Sequence, residues 1–291
     1  MIQKQKLIRF DWAMKRILRN KANFDILEGF LSELLHEDLK ILNILESESN
    51  QDHATDKYNR VDLLVENGKK EVVLIEIQNE TEQDYFQRMM YGTAKVISEN
   101  MYKGMPYSEV KKIYSVSIVY FDLGQGTDYL YYGTTNFVGL HTHEVLELNQ
   151  AQITLFGDKK VSQLFPEYYL IKVNNFNELA LNTLDEWIYF FKNEEIKPEF
   201  KAKGIQKAKE EFDVMKMPPK EYQNYQAHLD NLSYQASMFQ STYVLGQIEG
   251  KIEGKIEGKI EMAKLMKSEK LPLELIIKFT GLSKEEIENL L

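Results

Sequence analysis

Arg60-Val61-Asp62-Leu63-Leu64-Val65 leads through the polar gap Glu66-Asn67-Gly68-Lys69-Lys70 to Val72-Val73-Leu74-Ile75-Glu76-Ile77-Gln78. Two apolar runs flanking a turn-forming gap read as a β-hairpin. Each run carries one acid, Asp62 in the first and Glu76 in the second. Burying a carboxylate in such a run costs several kcal/mol unless it is paired or holds a cation. Side chains alternate along a strand, so Glu76 and Gln78 share a face while Ile77 points away. Two acids on paired strands, with an amide two residues past the second, have the spacing of a metal-dependent phosphodiesterase. The carboxylates of Asp62 and Glu76, with the backbone carbonyl of residue 77, would hold magnesium or manganese, which prefer hard oxygen donors. Such an ion acidifies a bound water, neutralises charge developing on the phosphate and steadies the leaving oxygen. The competing reading is a plain hairpin in which Asp62 pairs with Arg60 or Lys57 and Glu76 sits at an exposed edge.

On these residues the hairpin resembles the core of the PD-(D/E)XK nuclease fold, in the form of the Rpn family of recombination-promoting, transposase-associated nucleases. That family reads D-x-L, a hairpin, then hydrophobics ending in E-x-Q. The resemblance covers roughly residues 8–175. Phe10-Asp11-Trp12-Ala13-Met14-Lys15 is similar to the family's opening aspartate and lysine, with Met14 where a Phe is usual. Residues 23–35 resemble its second helix, Phe86-Gln87-Arg88-Met89-Met90-Tyr91 the helix after the catalytic strand, and 113–121 the following core strand. The resemblance implies an α/β fold with a mixed sheet flanked by helices, and a magnesium- or manganese-dependent DNA endonuclease. It implies that Asp62, Glu76 and Gln78 are catalytic, with Asp62 and Glu76 as metal ligands. Gln78 departs from the lysine in the superfamily's name. An amide cannot take a proton near neutrality, so it orients the attacking water or a phosphate oxygen, and Lys15 or Arg88 is the nearby cation. Family folds also place a helical acid beside the metal, for which Glu28, Glu33 and Asp11 are candidates. Asp11 equally suits an N-cap, and Glu28 and Glu33 equally suit solvent. Gln87 and Tyr91, one turn apart and on one face, resemble a supporting Q-xxx-Y pair of RecB-like relatives; the alternative puts Tyr91 in the core and Gln87 at its rim.

Composition narrows the setting. The 291 residues are 43% hydrophobic and contain no cysteine, so thiolate metal sites and disulfides are excluded and a reducing cytoplasm fits. No opening run resembles a signal peptide and no apolar stretch suits a membrane span. The net charge of −9 opposes broad electrostatic attraction to nucleic acid. Residues 1–21 nevertheless gather Lys4, Lys6, Arg9, Lys15, Arg16, Arg19 and Lys21 against the single acid Asp11. Such a basic end could track a DNA backbone, or be a solvated helix face.

The periodicity predicts amphipathic helices over 8–20 and 23–36, a helix over 83–102, and strands over 113–121, 129–139, 144–148 and 168–173. His141 and His143 alternate within a strand-like stretch and read as ordinary exposed side chains. These observations outline a nuclease-like domain over 1–175, a helical arm over 176–245 broken at Pro218-Pro219, a repeat over 246–261 and a helical hairpin over 262–291. The repeat is Gly246-Gln247-Ile248-Glu249 followed by three copies of Gly-Lys-Ile-Glu. On a helix a four-residue unit advances about 400°, so Ile, Glu, Gly and Lys form four slowly winding stripes. Each interior glycine costs ~1 kcal/mol against alanine, and like charges fall at i,i+4. Such a helix is marginal alone. Two copies could bury the Ile stripes, oppose Glu to Lys and approach closely along the glycines, giving a homodimer; a flexible linker is the alternative. Beyond it, Ser283 with Glu286 has the pattern of a capping box, and Leu282 with Ile287 that of its staple. The terminal helix holds Glu285, Glu286 and Glu288 against Lys284, which suits docking rather than DNA contact.

The leading expectation is a DNA endonuclease. The alternative is an inactive nuclease-fold protein acting as a DNA-binding or regulatory oligomer. A DDE-type transposase would need a different order of acids.

Overall fold

The computed structural model describes residues 6–45 and 62–290. These divide into two compact units, Met1–Gln226 and Ala227–Leu291.

In the first unit, α1 (Phe10–Arg16) and α2 (Phe24–Leu35) precede β1 (Ile41–Leu45), β2 (Leu63–Asn67) and β3 (Val72–Gln78). Then follow α3 (Tyr85–Glu99), β4 (Ile113–Val119), β5 (Leu130–Gly133), α4 (Gln150–Phe156) and β6 (Glu167–Lys172). The six strands form one mixed sheet in the order β1-β2-β3-β4-β6-β5. The β1–β2, β2–β3 and β5–β6 pairs are antiparallel, while β3–β4 and β4–β6 are parallel. Residues Val72 to Ile77 are all buried because β3 is an inner strand with both faces covered.

Helices α5 (Thr183–Asn193) and α6 (Ile205–Glu211) complete this unit's core. Phe10 of α1 stacks on Phe191 of α5 with ring centroids 4.1 Å apart, and Phe30 of α2 meets Phe191 edge-on at 5.0 Å. This aromatic cluster anchors α1, and α1 carries basic residues to the sheet. At Gly29 of α2 a Cβ would lie 2.0 Å from the Lys203 carbonyl oxygen, so only glycine admits that approach.

The hairpin, α1, α2, α3, β4 and β6 follow the expected pattern. Strand β1 was not anticipated; it joins the hairpin's outer edge through a register shift between Ile41 and Asn43. The strand expected over 144–148 is absent: Val145 makes only an isolated bridge to Val138 and remains 58% exposed. The strand expected over 129–139 is confined to β5, and α4 over 150–156 was not anticipated. His141 and His143 lie in an exposed turn.

Helix α7 (Pro219–Ser268) starts at the proline pair and runs without interruption through the glycine repeat. In the second unit its last turns pack with α8 (Leu273–Thr280) and α9 (Lys284–Glu288) around buried Ala263, Ile276, Leu282 and Ile287. The Ser283–Glu286 capping box forms as the spacing predicts. Lys267 donates to the carbonyls of Ile287, Glu288 and Leu290, satisfying acceptors at the end of α9. No helix among the described residues is long and apolar enough to cross a membrane.

Candidate active site

Register brings the two acids together. Leu63 lies opposite Ile75 in the antiparallel β2–β3 pair, so the next position outward sets Asp62 opposite Glu76. Directly opposed residues project from the same face. The Asp62 carboxylate accepts the Ile77 backbone N–H through Oδ2 at 2.7 Å. That bond closes the mouth of the hairpin and aims the other oxygen, Oδ1, at Lys15, 3.1 Å away. Lys15 comes from α1. One turn further on, Arg19 donates to the Asp62 carbonyl at 3.0 Å. Both basic residues thus converge on the acid that opens β2. Arg60 and Lys57, the alternative partners of Asp62, lie outside the described residues.

Glu76 is 4% exposed on an inner strand, so the exposed-edge reading of this residue fails. Its Oε1 is buried and without a hydrogen-bond partner among the described residues; Arg88 Nε, also buried, stands 3.9 Å off. Arg88 spends its stronger contact on Glu82, at 2.9 Å. Burial pushes the Glu76 carboxyl up to about 7, against the pull of Arg88 and helped by repulsion from Asp62 and Glu82. Ser117 on β4 is in register with Glu76. The Ser117 hydroxyl and the Tyr85 phenol lie beside the acid and near each other, buried and without a hydrogen bond of ordinary geometry among the described residues. Burial drives the phenol's pKa up, and the Glu76 charge adds to that. Several buried polar atoms gathered about one carboxylate form a cradle whose polar content the described residues do not satisfy. Neither Tyr85 nor Ser117 was singled out from the sequence. Tyr85 sits at the start of a helix, and Ser117 becomes meaningful only through the parallel register.

The other expected residues divide. Gln78 is half-buried two positions beyond Glu76 and so shares its face. Asp11 is not an N-cap: Arg9 occupies that position, and Asp11 is buried in the first turn of α1. It accepts from Arg9 Nε at 3.2 Å and from Asn79 Nδ2 at 3.0 Å. Arg9 also donates to Asn79 Oδ1 and to Glu194, and its backbone N–H reaches the Tyr225 hydroxyl. This network ties α1, α5 and α7 to the residue just past Gln78. Glu28 is buried rather than solvated, yet both of its oxygens are used at the start of β1, by Lys40 and the Ile41 N–H at 2.9 Å each. Glu33 accepts from the Thr183 hydroxyl and the Lys203 N–H. Both acids hold the fold, Glu28 at the start of β1 and Glu33 against α5 and Lys203. Gln87 and Tyr91 lie on the exposed side of α3, Tyr91 with 41% of its surface open, so the core position for Tyr91 fails. No group of three or more His, Asp or Glu suited to a metal occurs among the described residues.

A family model described as PD-(D/E)XK nuclease family transposase matches residues 8–241. The chain belongs to that family. The match extends beyond residue 175, through α5, α6 and part of α7. Neither curated proteins nor solved structures give a match. Membership assigns a nuclease or transposase-associated function, and the mixed sheet with its flanking helices is consistent with the family's α/β fold.

The residues present fit a divalent cation. The register continued by one position sets Asp62 and Glu76 on one face, Glu76 has a buried oxygen unbonded among the described residues, and a positive ion would lower its raised pKa. All the donors are hard oxygens, and magnesium completes its octahedron with water when only one or two carboxylates are offered.

Proposed function

We propose that this protein is a magnesium- or manganese-dependent DNA endonuclease of the recombination-promoting, transposase-associated type, acting in the cytoplasm. The reading is supported by the β2–β3 register, which continued by one position sets Asp62 opposite Glu76, whose buried Oε1 lacks a hydrogen-bond partner among the described residues. Asp62 and Glu76 would hold the metal, which supplies Lewis-acid stabilisation and an acidified water. Gln78, on the same face, orients the attacking water or a phosphate oxygen without exchanging a proton. Lys15 and Arg19 supply the positive charge that a phosphate backbone needs beside the acids. Arg88, between Glu76 and Glu82, offsets the charge of the acidic cradle while remaining half-buried. Tyr85 and Ser117 provide hydroxyls to water held against Glu76.

Incubation of plasmid DNA with the full chain tests this reading. Nicking or linearisation in magnesium or manganese that stops with chelator supports it; intact plasmid in both metals contradicts it.

The partner reading extends to a second copy of the chain through the 246–261 repeat. Its support is the helical state of the repeat within α7 and the exposure of Ile248, Ile252 and Ile256. Sedimentation of the full chain against a version ending at Val244 checks it. A heavier full chain is the expected result.

A further inference from the structure

On α7 the side chains of Tyr234, Met238, Leu245, Ile248, Ile252 and Ile256 fall on one stripe, which continues into Ile260 and Ala263. From Tyr234 to Ile256 their spacing averages about 3.67 residues per turn, close to the 3.6 of a straight α-helix, so the stripe stays within one side of the helix and demands only a slight, right-handed supercoil. Its two ends are treated differently by the protein. From Ile260 onward the stripe is covered by α8 and α9, with Ala263 fully buried. Before that point it is open: Leu245 is 59% exposed, Ile248 50%, Ile252 54% and Ile256 48%.

Charge on the two flanks selects what covers the open part. Each lysine of the repeat precedes an isoleucine and each glutamate follows one. At about 100° per residue, Lys251, Lys255 and Lys259 line one flank and Glu249, Glu253, Glu257 and Glu261 the other. When two identical helices face each other in parallel, the flank before the seam on one meets the flank after the seam on the other. An antiparallel pair instead sets like flanks together. Here the parallel arrangement places lysines against glutamates along both edges, and the antiparallel one places lysine against lysine. The glycines lie about 200° from the isoleucines. A Cβ at Gly246, Gly250, Gly254 or Gly258 would meet nothing within 4 Å. They therefore lie on the side of α7 away from the isoleucines.

We propose that α7 pairs in parallel, in register, with α7 of a second copy along the stripe from Tyr234 to Ile256, and that the flanking lysine and glutamate rows set this orientation. The inference rests on the self-association reading above and adds its geometry. The pair is two-fold symmetric about an axis along the helices, so each seam residue meets its own counterpart, and the stripe covered by α8 and α9 marks where pairing ends.

The chain has no cysteine, so single-cysteine variants of the full-length protein report the geometry directly. Leu245→Cys and Ile256→Cys are made separately, oxidised alone and as a mixture, with sedimentation of wild type run alongside. Positions 245 and 256 are about 16 Å apart along a helix. The proposal expects each variant alone to form a disulfide-linked dimer. Crosslinking only in the mixture, with wild type sedimenting as a dimer, would mean antiparallel pairing and overturn the orientation while leaving self-association standing. A monomeric wild type at micromolar concentration, with no crosslink in any sample, would overturn both. Combined Lys251→Glu, Lys255→Glu and Lys259→Glu gives a second readout: weaker dimers in low salt, with the difference from wild type shrinking as salt rises. Unchanged dimer affinity would show that the flanks do not set the pairing.

Discussion

Lys15 reaches from α1 to Asp62, its ammonium 3.1 Å from the carboxylate that opens β2. The pair joins a cation to an acid expected to hold a metal, so the two positive charges compete for one oxygen. Replacing Lys15 with Met should strengthen metal binding several-fold while weakening DNA binding and flattening its salt dependence. Calorimetric titration with manganese and DNA-binding isotherms at several salt concentrations check both halves. Weakened metal binding would show that Lys15 orients Asp62 rather than competing for it.

Glu76 gives the site a pH signature. Its carboxyl is raised to about 7, chiefly by burial, so the metal-free folded state holds a proton there that the unfolded chain releases near 4.5. The folded state binds more protons across that window. Metal-free stability therefore falls as pH rises from about 4.5 through 7. Metal binding needs the carboxylate and reverses the loss. The rise in melting temperature on adding manganese should be larger at pH 8 than at pH 5.5, and Glu76→Gln should abolish that difference. A metal-induced shift independent of pH would remove Glu76 from the ligand set.

Gln78 shares the face of Glu76 but cannot exchange a proton. Gln78→Ala should lower turnover by roughly 10- to 1000-fold, the range for losing one transition-state hydrogen bond. Metal affinity should be unchanged. Single-turnover cleavage would reveal a bystander by an unaltered rate.

Arg9 donates to Asp11, Asn79 and Glu194 and lies 5.3 Å from the Tyr120 ring centroid. Bonds between charged groups carry more than neutral ones, although partial exposure of the guanidinium moderates that. Arg9→Ala should lower stability by roughly 2 kcal/mol, read from the denaturation midpoint. A change within a few tenths would assign the network no role in stability.

The hairpin was readable because its constraint is local. Two apolar runs, a six-residue gap and strand alternation fix which side chains meet. The helices around it carry clear apolar stripes for the same reason. Residues 144–148 have strand composition but find no partner strand, and β1 follows an acidic helix end whose pairing depends on the hairpin already standing. The acids of α2 could not be resolved from sequence because both faces of that helix are used: Glu28 turns to Lys40, and Glu33 to Thr183, 150 residues away. A longer separation, 216 positions, hides the bond between Arg9 and Tyr225. Sequence spacing placed Glu76 beside Gln78, whereas Ser117 came to it only through parallel pairing of β3 with β4.

The proposed metal-dependent nuclease activity stands or falls on Asp62 and Glu76. Its sharpest test is cleavage of supercoiled plasmid in magnesium and manganese, compared between wild type and Asp62→Ala. Wild type should cut only with metal present and Asp62→Ala at no metal concentration, while circular dichroism shows both proteins folded. Cutting by folded Asp62→Ala at the wild-type rate would contradict it.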